Sequence, residues 1–224
     1  MKFHRNESNT YAIIGLGRFG TAVAKQLVEN GQEVILIDKD TERVRELRSL
    51  SDYAYVVNHL DQETLEEIGL SDCQGAVIAI GQPMDANILA TLYCANLKVP
   101  VIVAKANSKE QGEILYKIGA TKVVYPEKDM GERLANALSN QQVLDYFSVS
   151  NNIDIVQMVA PEAFHGKTLA ELNLRPKWGV TVIAVKNGKD VTEEITADTS
   201  FKKGDVIVMI GGKDKIIQLQ EAFS

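Results

Sequence analysis

Two cysteines, one tryptophan, three histidines and five prolines in 224 residues leave several kinds of protein without their raw material. Cys73 and Cys94 fit neither a disulfide framework nor a metal or redox motif, and read as buried thiols of a reducing cytosol. No apolar run approaches the roughly 20 residues of a membrane span. Gly75–Gly81 and Val99–Ala104 are among the longest. A basic excess is missing too. Lys and Arg number 24 against 30 Asp and Glu, a net charge of −6, which argues against nucleic acid as a partner. The polar opening Met1–Thr10 has no apolar signal core, so a cytoplasmic location is expected. His4, His59 and His165 are scattered and form no metal-ligand spacing. No nucleophile elbow or pair of core carboxylates stands out, and Trp178 beside Gly179 reads as a packing residue or interface anchor.

What is present is ordinary globular material, 45% hydrophobic and 24% charged, and it is arranged in a regular alternation. Tyr11–Leu16, Glu33–Asp38, Ala54–Asn58, Gly75–Ile80, Pro100–Lys105 and Lys122–Tyr125 are short β-branched runs, the pattern of strands buried on both faces. Between them, Phe19–Asn30, Thr41–Leu50, Gln62–Ile68, Asp85–Leu97 and Lys109–Ile118 carry apolar residues at helical spacing. The fold class is therefore α/β, a Rossmann-like doubly wound parallel sheet.

Pro126–Tyr146 then reads as one long amphipathic helix, followed by a polar boundary at Ser148–Asn152. The expected domains are 1–147, a nucleotide-binding domain with a C-terminal linking helix, and 148–224, a small α+β module. The latter has strands at Ile153–Val159, Val180–Val185 and Val206–Ile210, and helices at Leu169–Leu172 and Lys213–Ala222. A module this small gains from pairing with a copy of itself.

The chemistry begins at Gly15-Leu16-Gly17-Arg18-Phe19-Gly20, a G-x-G-x-x-G placed between a predicted strand and a predicted helix. Gly15 permits a tight turn, Gly17 admits a pyrophosphate to the backbone N–H groups, and Gly20 lets helix and sheet approach. Asp38, ending the second strand, suits an acceptor for both ribose hydroxyls and repels a 2′-phosphate. Arg18 either reaches a terminal phosphate or is solvated at the helix start. Glu127, after Pro126, either complements the helix dipole or faces a phosphate and helps to hold a cation. Lys105, at the end of the fifth strand, faces the nucleotide or the solvent. Phe19 lies within the loop, and Lys39 follows the acid. Without a visible second site for a substrate, nucleotide binding points to a sensor; the alternative is a small NAD-dependent oxidoreductase.

GLGRFG with Asp38, Lys105, the segment IGATKVVYPEKDMG (Ile118–Gly131) and LAELNLRPKWGVTVIAV (Leu169–Val185) together resemble the KtrA/TrkA family. These are cytosolic RCK proteins that gate bacterial potassium uptake systems. The resemblance implies an RCK_N domain followed by an RCK_C (TrkA-C) domain. Homodimers would assemble into an octameric ring on a membrane-embedded potassium-translocating subunit of the KtrB or TrkH type, at the inner face of the membrane. ATP/ADP or NAD(H) would bind the first domain through Gly15, Gly17, Arg18, Phe19, Gly20, Asp38 and Lys39. Lys105 would lie near the site, and Glu127 would approach the phosphates of a neighbouring protomer's nucleotide and share a cation there. Cyclic di-AMP would bind the second domain through Leu169, Arg175 and Thr181. Many relatives carry Gly-Asp-Ala-Thr after the third strand, where an Asp approaches the adenine. Here Val57-Asn58-His59-Leu60 replaces it, leaving Asn58 to bond the adenine edge.

Overall fold

The computed structural model describes residues 9–139, 143–150 and 152–223; His4 lies outside the described residues. The chain divides into two compact units between Lys128 and Asp129.

In the first unit, six strands form one parallel sheet in the order β3-β2-β1-β4-β5-β6. They are β1 (Thr10–Ile14), β2 (Glu33–Asp38), β3 (Ala54–Val56), β4 (Gly75–Ile78), β5 (Val101–Lys105) and β6 (Lys122–Val124). This is the doubly wound order, with its reversal between β1 and β4. The crossovers are α1 (Arg18–Glu29), α2 (Thr41–Leu47), α3 (Gln62–Glu67), α4 (Met84–Asn96) and α5 (Lys109–Lys117). The continuous apolar runs follow from the period of two along a strand. Ile14, Ile37 and Ile78 enter one buried cluster, and their neighbours Ile13, Leu36 and Val77 enter another.

Helix starts are punctuated by side chains: Asp40, Asp61 and Ser108 accept backbone N–H groups at α2, α3 and α5. Helix α1 is different. Its N-cap is Gly17, no side chain caps it, and its first turn holds no acid. Its N–H groups are left for something else.

The helix after β6, α6 (Pro126–Leu138), is shorter than its sequence suggests. Val143–Tyr146, read as its last turn, instead opens β7 (Val143–Ser150), which pairs antiparallel with β8 (Ile153–Val159). Branched and aromatic residues at Val143, Tyr146 and Phe147 favour a half-buried pleat, and the partner strand decides the matter. Arg133 of α6 makes a bidentate pair with Asp145 at 2.7 and 2.6 Å and stands over the Phe147 ring. The Tyr146 hydroxyl donates to the buried Asp154. Ser148 and Ser150, expected in a domain boundary, thus end a strand of the second sheet.

That sheet has the order β10-β9-β11-β8-β7 and is antiparallel throughout. Its remaining strands are β9 (Val180–Asn187), β10 (Asp190–Thr192) and β11 (Val206–Gly212). Its helices are α7 (Leu169–Leu172), α8 (Leu174–Trp178) and α9 (Lys213–Phe223). Phe223 packs edge-on against Phe164 at 4.9 Å and against Trp178 at 5.8 Å, so the tryptophan packs against this core.

Candidate functional site: a cleft at the carboxyl edge of the parallel sheet

Parallel strands deliver their loops to one edge, and ligands of such sheets bind there beside the reversal in strand order. A cleft of about 530 Å³ occupies this position. The ends of β1 and β2 bring Gly15, Gly17, Arg18, Phe19, Asp38 and Lys39 to it. The loop after β3 brings Asn58, β5 brings Lys105, and the start of α6 brings Glu127. Nine residues expected at the nucleotide therefore meet at one cleft. Gly20, the tenth, sits buried beneath it.

The three glycines do different work. Gly15 has φ +98°, and a Cβ there would lie 2.9 Å from the Ile80 nitrogen. At Gly20 a Cβ would lie 1.9 Å from the Gly15 carbonyl oxygen, so only glycine lets α1 reach the strand end. Gly17 has neither constraint. Its φ is −70°, and a Cβ would meet nothing within 4 Å. The empty space above Gly17, at the uncapped N-terminus of α1, is a cradle that a side chain would fill and that fits a phosphate.

Asp38 is 8% exposed. One carboxylate oxygen accepts the Leu16 N–H at 2.5 Å, and the other accepts the Asp40 N–H at 2.9 Å. The acid thereby holds the glycine loop to β2, while each oxygen keeps a lone pair for a hydroxyl donor. Arg43 approaches the same carboxylate at 3.7 Å.

Across the cleft, the Lys105 ammonium donates to Glu127 at 2.5 Å. That bond holds the Glu127 carboxyl below its ordinary value, with a smaller contribution from the Arg18 charge. Four cations (Arg18, Lys39, Arg43 and Lys105) and three acids (Asp38, Asp85 and Glu127) line the cleft, a balance suited to an anionic ligand. Among the described residues, no group of three or more His, Cys, Asp or Glu is arranged to hold a metal ion. A cation at Glu127 would need its remaining oxygens from elsewhere.

The sequence reading missed Arg43, His59 and the loop from Gly81 to Pro83, all of which line the cleft. The loop had a usable signal, since it follows a strand at the edge where every strand ends. In the second unit, Leu169 is half-buried against the core, Arg175 is exposed on α8, and Thr181 lies on β9 opposite Ile210.

Residues 11–126 match the TrkA-N domain, and residues 155–224 match the TrkA-C domain. The chain belongs to the KtrA/TrkA family. It is 35% identical over 211 residues to the Ktr system potassium uptake protein C of Bacillus subtilis, covering 94% of this chain and 96% of that one. To the Ktr system potassium uptake protein A of Vibrio alginolyticus it is 36% identical, covering 92% and 94%. Among solved structures, the GsuK RCK domain superposes with a TM-score of 0.52 at 27% identity, over 97% of this chain and 47% of that one. The GsuK channel bound to NAD gives 0.51 at 26% identity, over 97% and 38%. The chain thus spans less than half of those GsuK chains. The KtrA/TrkA resemblance read from the glycine loop and the PEKDMG segment is the family shown by both domain matches. Among the described residues, no helix is long and apolar enough to cross a membrane.

Proposed function

We propose that the chain is the nucleotide-sensing, non-catalytic subunit of a Ktr- or Trk-type potassium uptake system. It would work in the cytoplasm on a membrane-embedded translocating subunit, as a homodimer built into an octameric ring. The observation that carries the nucleotide reading is the open cradle at Gly17, between uncapped N–H groups and the Asp38 carboxylate. The potassium-uptake relatives and the NAD-bound GsuK channel support the setting.

In this reading the N–H groups opening α1 bind the phosphates, and Asp38 accepts from the ribose hydroxyls. Arg18 and Lys105 neutralise the remaining phosphate charge, and Asn58 bonds the base edge. Glu127 supplies one oxygen to a cation shared with the phosphates of a neighbouring protomer's nucleotide. ATP/ADP and NAD(H) both satisfy this donor set. A nucleotide switches transport only if it binds the open and closed forms of the ring unequally. Cyclic di-AMP, bound by Leu169, Arg175 and Thr181 of the second domain, is the proposed inhibitor.

A thermal-shift panel with ATP, ADP, NAD, NADH and cyclic di-AMP tests the assignment. A ligand at about a hundred times its Kd stabilises the native state by roughly 2.7 kcal/mol. Separate shifts with an adenine nucleotide and with cyclic di-AMP are expected. Arg175→Ala is expected to remove only the second. Silence from all five ligands refutes the reading. A change in nicotinamide absorbance with any substrate refutes the non-catalytic part.

A further inference from the structure

Parallel pairing of β4 with β5 ends at Ile78 and Ala104. Beyond it the ladder does not continue, so the carbonyls there need donors from elsewhere. Asn87, fully buried on α4, supplies them. Its amide nitrogen donates to the Ile80 carbonyl at 2.6 Å and to the Lys105 carbonyl at 3.0 Å. Both amide hydrogens are used, which fixes the orientation of the group and leaves its oxygen buried without a partner. One residue further along the β4 loop, the Asn107 side chain donates to the Gly81 carbonyl at 2.9 Å. Gln111 in turn accepts the Asn107 backbone N–H.

Two amides therefore tie consecutive carbonyls of the cleft floor, at Ile80 and Gly81, to the end of β5. The side chain that leaves that end is Lys105, 11% exposed, which runs alongside Gly81 to Glu127. A buried acceptor left unpaired is unfavourable. Its retention here secures a bridge that a leucine or alanine could not make.

We propose that Asn87 is a positioning residue that binds the β4 loop and Lys105 into one unit, so that occupancy of the cleft floor is felt at Glu127 in the first turn of α6. The inference rests on the nucleotide reading for what occupies the floor, but the bridge itself stands on the Asn87 hydrogen bonds.

Four full-length forms test it: wild type, Asn87→Ala, Lys105→Met and the double variant. Calorimetry reads ADP affinity, and mass spectrometry reads acylation of lysines in nucleotide-free protein. Asn87→Ala is expected to weaken ADP by about tenfold, the scale of one aligned hydrogen bond. It should also raise Lys105 acylation, while the exposed Lys25 and Lys98 label as in wild type. In the Lys105→Met background the same substitution should change affinity by less than about twofold, as expected of coupled sites. Fully additive losses, or unchanged Lys105 acylation in a folded Asn87→Ala protein, overturn the proposal. If Asn87→Ala does not fold, Asn87→Ser, whose hydroxyl donates to only one carbonyl, takes its place. Wild type that binds neither ADP nor ATP, NAD or NADH refutes the nucleotide reading instead, and the ligand-free acylation result then decides the positioning role alone.

Discussion

Lys105 Nζ lies 2.5 Å from Glu127 Oε1, joining the end of β5 to the first turn of α6 across the mouth of the cleft. The lysine is sheltered and the glutamate is two-thirds exposed, so the pair adds little to stability on its own. Its interest is electrostatic, because both partners line the cleft in which the proposed nucleotide would sit.

The Glu127 carboxyl is held below its ordinary 4.5, chiefly by the Lys105 hydrogen bond. A lowered carboxyl contributes stability above its unfolded value and loses it as pH falls through the lowered one. Lys105→Met is expected to return the Glu127 midpoint toward 4.5, read by carboxyl-carbon NMR titration. A midpoint unmoved by the substitution would show that the bond does not persist in solution.

Asp38→Ala removes the acceptor of the Leu16 N–H, a buried bond within the site itself. The expected cost is about 1–3 kcal/mol, the usual penalty for stranding a buried donor. It should appear as a lower melting temperature without any ligand, together with loss of nucleotide binding. Unchanged ligand-free stability would contradict the loop-holding role.

Gly17→Ala and Gly20→Ala should part company. The first adds a methyl to open space and should leave the circular dichroism spectrum intact while weakening nucleotide binding. The second drives a methyl into the Gly15 carbonyl oxygen and should destabilise by more than about 4 kcal/mol, at the level of severe overpacking and strain. Equal effects on folding would refute the division of labour among the glycines.

The Cys73 thiol is pushed up to about 11 and that of Cys94 to about 12, in both cases mainly by burial. Thiolates are the reactive form, so neither cysteine should be alkylated by iodoacetamide at pH 8 in the native protein. Both should react once the chain is unfolded in urea, as mass spectrometry would show. Fast native labelling at either site would mean that the first unit opens locally.

Much of the first unit was legible because each apolar run serves two layers. Ile13 and Ile14 must both be apolar when they face opposite clusters, and that continuity marks a parallel sheet. The cleft was legible at its glycines and at Asp38, whose spacing is set by one strand–helix–strand unit. The bond from Leu16 to Asp38 was not, since no local pattern says which donor an acid will meet. Nor was the end of α6. Its amphipathic period runs on toward Tyr146, and only pairing with β8 turns Val143–Ser150 into a strand. Helix α8 was hidden for a similar reason. It follows directly on Asn173, whose φ of +49° breaks α7, and it carries Pro176 inside a single short turn.

The strand order of the first unit also governs how a growing chain acquires its shape. Strand β1 is made first yet lies inside the sheet, paired with β2 on one side and β4 on the other. On a ribosome, β1 and β2 can meet early, but Tyr11 must wait for Gly75 before its other edge is covered. Through that interval the run Tyr11–Ile14 presents an unpaired, apolar strand edge, a template for association with other nascent chains. In the second unit's sheet two of the four pairings, β7 with β8 and β9 with β10, join consecutive strands and can close as each hairpin is made. Overproduction at high temperature should therefore aggregate this protein through its N-terminal half, and slowing synthesis or adding a holdase chaperone during translation should relieve it.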